Sequence, residues 1–141
     1  MKVFLSHAMS GLDESKVMKI RNDAIQKLTD RYGEIEVIDN YHHENVPENA
    51  GRLWHLGTSI KQLEEADAIY FCDNSYNSNG CVVETVIAIL YHIRILNREF
   101  ENFNKDAIEL DNKQKLQYIH SLVYNEDLIN YLESQDLSIF K

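Results

Sequence analysis

The sequence predicts an α/β protein built on a parallel sheet with helices on both faces, and three observations carry that prediction. Short apolar segments of strand length alternate with longer segments whose apolar residues recur at helical spacing. Turn-forming residues punctuate the junctions. The alternation runs β-α-β-α-β-α-β, which favours parallel strands joined by right-handed crossovers. The 141 residues fit one ordinary domain with a core of its own.

The first strand is Lys2 to Ser6, and the turn-like stretch from His7 to Gly11 is its exit loop. A helix follows. Asp13 is placed to cap it and Glu14 suits its positive end, while Val17, Ile20, Ala24 and Leu28 mark one apolar face. Tyr32-Gly33 ends the pattern. Glu36 to Asp39 reads as a second strand, and residues 40–49, which hold the only proline, read as a loop able to act as a lid.

From Gly51 to Glu65, the residues Leu53, Leu56, Ile60 and Leu63 share a helical face. Asp67 to Asp73 forms a third strand, and Asn74 to Gly80 is rich in turn formers. Cys81 to Tyr91 is apolar on nearly every side, as a buried helix is. Arg94 to Asn97 supplies the fourth strand. Together these elements make a Rossmann-like or flavodoxin-like domain over residues 1–97. Beyond Arg98, amphipathic patterns at Leu116, Ile119, Leu122 and Val123, then Leu128, Tyr131 and Leu132, predict a C-terminal helical extension over 98–141, within the same domain or at an oligomer contact.

Composition excludes several functions. The formal net charge of -9 repels a phosphate backbone, so duplex nucleic acid is not an expected partner, although a few amides and one arginine suffice for a single nucleotide. No apolar run approaches the roughly 20 residues of a membrane span. The N-terminal apolar stretch breaks at Ser6 and His7, short of the roughly 7–15 residues of a signal peptide, so a cytoplasmic protein is expected. Two cysteines in no C-x-x-C pairing, and no H-E-x-x-H, argue for no metal and no other cofactor.

Ligands of parallel sheets bind beyond the carboxyl ends of the strands. That rule selects the loops 6–11, 39–49 and 73–80. Glu84, read as lying in the first turn of the last helix among Val82, Val83, Val86 and Ile87, meets two opposed influences: burial raises its pKa and the helix N-terminus lowers it. It is either a reactive carboxylate or a helix-dipole partner facing solvent. Asp73, at the end of the third strand, is either a second functional carboxylate or a turn aspartate. Cys81 at a helix start is either a thiolate nucleophile or a small buried residue. His7 is placed to contact a ligand, whereas His42, His43 and His55 lack metal spacing. Arg21 and Arg52 are the candidate anion partners, and Trp54 reads as packing or as a stacking surface.

Four segments, SHAMSG at 6–11, WHLGTS at 54–59, Ala66-Asp67 and NGCVVE at 79–84, together resemble the nucleoside 2-deoxyribosyltransferase-like superfamily. The resemblance is strongest to its branch of small phage and bacterial proteins of uncharacterised function, with their S-x-P-M-x-G, W-x-L-G-x-S and R-G-C-x-x-E patterns. It covers about the first two-thirds of the chain. Ala8 departs from the proline of the first pattern, and Asn79 from the arginine of the third.

The resemblance implies that Glu84 attacks the anomeric carbon of a nucleoside and displaces the base, the sugar then passing to water or a second base. It implies that Asp73 contacts the nucleobase, and that Ser6, His7, Met9, Gly11, Trp54, Asn79, Gly80 and Cys81 line the substrate site. It also implies a homodimer or larger homo-oligomer. The activity so expected is that of an N-glycosidase or 2-deoxyribosyltransferase. The alternative is a non-catalytic protein that holds or sequesters a small, signalling nucleotide, in a phage setting.

Overall fold

The computed structural model describes residues 1–9, 11–73, 75, 78–101, 111, 113–115 and 117. Its elements are β1 (Lys2–Ser6), α1 (Glu14–Tyr32), β2 (Glu36–Val37), α2 (Arg52–Gln62), β3 (Ala68–Phe71), α3 (Asn79–Leu90) and β4 (Arg94–Ile95). The four strands form one sheet in the order β2-β1-β3-β4, and every neighbouring pair is parallel. The α/β class and the parallel sheet are therefore those expected from the alternation of periodicities.

Local chemistry sets the element ends. Asp13 caps α1 by accepting the Lys16 N–H at 2.9 Å, and Gly33 closes it at φ 80°, a left-handed conformation that glycine adopts without a Cβ penalty. β4 is shorter than the segment 94–97, because Asn97 completes the ladder with its side chain. Its amide donates to the Phe71 carbonyl and its oxygen accepts the Phe71 N–H, both at 2.8 Å.

Side-chain alternation along β1 and β3 divides the core into two layers. Val3, Leu5, Ala68 and Cys72 pack with Ala24 and Leu28 of α1. Phe4, Ile69 and Phe71 pack on the other face with Ala88 and Ile89 of α3 and with Leu63, in the 3-10 turn that extends α2. The chain leaves β1 toward β2 over one face, and β3 toward β4 over the other. The point where the strand order reverses therefore lies between the carboxyl ends of β1 and β3, which is where open parallel sheets present a crevice.

Most of the helical extension expected over 98–141 lies outside the described residues. Among those described, Lys115 donates to the Leu90 carbonyl at the C-terminal end of α3, 3.3 Å away. No helix of the described residues is long and apolar enough to cross a membrane.

Candidate functional site

Two consecutive residues at the carboxyl end of β1 face opposite layers. Ser6 continues the side of Phe4 and meets α3, whereas His7 continues the side of Leu5 and meets α1. Each is buried, and each is joined to a buried ionisable group from a distant part of the chain.

On the α3 side, the Ser6 hydroxyl donates to Glu84 Oε1 at 3.2 Å. Glu84 is only 6% exposed, and its Oε2 is buried without a hydrogen-bond partner among the described residues. Burial pushes its carboxyl up to about 7, opposed by the Ser6 hydrogen bond, which favours the charged form.

The sequence reading placed Glu84 in the first helical turn, and the structure corrects this. Ser78 is the N-cap, its hydroxyl accepting the Cys81 N–H at 3.4 Å, so α3 begins at Asn79 and Glu84 falls in its second turn. The macrodipole acts mainly within the first turn, so burial governs this carboxyl. The solvent-facing alternative does not hold at this exposure.

On the α1 side, Asn40 Nδ2 donates to the Leu5 carbonyl at 2.8 Å, and Asn40 Oδ1 accepts from Arg21 Nη1 at 2.7 Å. The same Nη1 lies 3.1 Å from His7 Nε2. His7 is 3% exposed, and its Nδ1 has no partner among the described residues. Burial, reinforced by the neighbouring Arg21 charge, pulls the imidazole down to about 4, so the ring is neutral at physiological pH.

Arg21 is thus a buried, bonded residue in place of the solvent-exposed anion partner that helical arginines commonly provide. Sequence reasoning missed Asn40 altogether. A signal for Arg21 was present: it occupies the apolar stripe of Val17, Ala24 and Leu28, where a charge implies an internal partner.

The remaining candidates are spread more widely. The Asp73 carboxylate is 92% exposed and sits 3.8 Å from Lys27 of α1. With Ile20, Asp23, Lys27, Tyr70 and Cys72 it lines a small cleft of about 160 Å³ on the α1 face, which includes neither Glu84 nor His7. The two carboxylates therefore belong to different layers. Cys81 is buried beside Ser6 and Glu84, and burial pushes its thiol up to about 11, so it is a protonated buried residue and not a thiolate.

Met9 and Gly11 lie in the β1 exit loop, where Met9 O accepts the Leu12 N–H at 3.2 Å and Gly11 takes φ 79°. Asn79 and Gly80 open α3, and Gly80 packs toward Leu56 of α2. Trp54 is half-buried, with ring centroids 5.9 Å from His43 and 5.0 Å from His55. His43 and His55 approach through their Nδ1 atoms at 2.9 Å, which ties the loop 40–49 to α2. Among the described residues, no group of three or more His, Cys, Asp or Glu is arranged to hold a metal ion.

No protein-family model matches the chain, and no curated protein or solved structure matches it either.

Proposed function

We propose that this protein binds a nucleoside or nucleotide at the carboxyl ends of β1 and β3 and cleaves its N-glycosidic bond, with Glu84 as the nucleophile. One observation supports this reading above the others: a buried carboxyl at the strand-order reversal has one oxygen held by Ser6 and the other without a partner among the described residues. Fixing one oxygen orients the second toward a reacting carbon, and burial keeps the group poorly solvated and so more reactive.

In the proposed step, a Glu84 carboxylate oxygen bonds to the anomeric carbon as the carbon–nitrogen bond breaks. The electron pair of that bond leaves with the base, which takes a proton from solvent. Water then hydrolyses the glycosyl ester, or a second base accepts the sugar. Attack needs the ionised carboxylate, so the rate rises with pH through about 7. A general acid at Glu84 gives the opposite slope.

The test is base release from a panel of nucleosides and their 5′-monophosphates, assayed with the parent protein and with Glu84→Ala. Release that the substitution abolishes supports the proposal, and unchanged release overturns it. Tight binding with the ligand recovered intact replaces the reading with non-catalytic nucleotide sequestration. A cytoplasmic homodimer or larger assembly is part of the same proposal, and light scattering of the purified full chain tests the assembly.

A further inference from the structure

We propose that His7 takes an anionic oxygen of the ligand through an Nδ1–H whose tautomer is fixed by Arg21 and Asn40. The inference rests on the reading of the β1–β3 end as a ligand site, but not on cleavage by Glu84.

The chain of hydrogen bonds admits one assignment. The Leu5 carbonyl only accepts, so the Asn40 atom 2.8 Å from it is the amide nitrogen, and the amide oxygen faces Arg21 at 2.7 Å. A guanidinium only donates, so His7 Nε2, 3.1 Å from Arg21 Nη1, must accept. A neutral imidazole has one accepting and one donating nitrogen, and the proton therefore resides on Nδ1. That N–H is buried at the end of β1 and meets no acceptor among the described residues.

Two features select an anionic oxygen over a neutral hydroxyl. Among the described residues, the hydrogen-bond partners of Arg21 are His7, Asn40 and the Ile38 carbonyl, all of them neutral. Its buried positive charge is felt through the imidazole that it bonds, and polarises the Nδ1–H outward. Of the charged groups nearby, the Asp39 carboxylate attracts Arg21 from the β2 exit and offsets part of its charge, one oxygen accepting the Tyr41 and His42 N–H groups at 3.0 and 3.1 Å and the other facing the His42 ring at 3.2 Å. A ligand phosphate, free or carried by a nucleotide, has the required oxygen.

The test uses the full chain with ¹⁵N-labelled histidine and a ¹³C-labelled Glu carboxyl. His7 should show protonated Nδ1 and bare Nε2, with no titration between about pH 5 and pH 8. Inorganic phosphate, a nucleoside and the matching 5′-monophosphate are then added separately.

A downfield shift of the His7 N–H with the monophosphate that the nucleoside does not produce, together with about tenfold weaker monophosphate binding in His7→Phe, supports the proposal. A response to inorganic phosphate alone assigns the site to free phosphate. A proton on Nε2 overturns the proposal, as does a probe that moves the Glu84 signal and leaves His7 unmoved. If no probe moves either residue, the ligand-site reading fails along with it.

Discussion

Ser6 and His7 are adjacent in the chain, yet they organise two different environments. On the α3 side, a hydroxyl bonds one oxygen of the carboxyl, and the second carboxyl oxygen has no partner among the described residues. On the α1 side, a guanidinium that is itself held by an amide fixes the imidazole from behind. Burial disfavours the charge on both ionisable groups, moving the Glu84 carboxyl up to about 7 and the His7 imidazole down to about 4. Glu84 therefore changes charge near neutrality, while His7 remains neutral throughout the physiological range. Under the proposals above, the first environment serves chemistry and the second recognition. Equal burial does not make equal function; the partners decide.

The sharpest way to break this comparison is Glu84→Gln, which keeps the shape and removes the proposed nucleophile. Base release should fall by a factor on the order of 10³ or more, followed by chromatography of the freed base. Arg21→Met should cost roughly 3 kcal/mol of stability, read from the urea midpoint, because His7 Nε2 and Asn40 Oδ1 both lose their donor in a buried layer.

The two groups also oppose each other in the pH dependence of stability. The Glu84 carboxyl binds its proton more tightly when folded, so its contribution is full below about 4.5 and is lost as pH rises through about 7. The His7 imidazole binds its proton less tightly when folded, so its contribution is full above about 6.5 and is lost as pH falls through about 4. Each amounts to about 3 kcal/mol at full extent, and they offset one another across the shared window. Glu84→Gln should therefore unmask stability that rises with pH over that window, and His7→Phe stability that falls, both measured by denaturant titration at a series of pH values.

Ser6→Ala has a smaller effect. It removes the hydrogen bond that opposes burial, so the Glu84 carboxyl should move further up from about 7, at a cost of about 1 kcal/mol. The rising limb of the pH–rate profile should follow it. Asp73→Asn is the mildest change: at an exposed position with an exposed ion pair, it should alter stability by no more than about 0.5 kcal/mol in thermal unfolding.

Much of the fold was legible in the chain because its signals are local. The Asp13 cap, the Gly33 stop and the stripe Val17-Ala24-Leu28 act within a few residues, and they set α1 almost to the residue. Shorter signals were less exact. β3 spans Ala68–Phe71 within the segment 67–73, and α3 starts two residues before Cys81, because Ser78 caps it ahead of the apolar run. Glu84 and His7 were visible as candidates because a carboxylate among valines and a histidine at a strand exit stand out against their neighbours.

By itself, the sequence determined the alternation of strands and helices, and with it the parallel sheet and the end at which its loops gather. Tertiary structure alone decided what the polar residues there became. Ser6 meets Glu84 across 78 positions of sequence, and Asn40 reaches Leu5 across 35. No periodicity or spacing encodes such pairs; they arise when β1 is enclosed between two helical layers and successive side chains are sent to opposite sides. Glu84 has one hydroxyl partner and Arg21 has three neutral ones because burial required each to find a partner, and packing determined which were within reach.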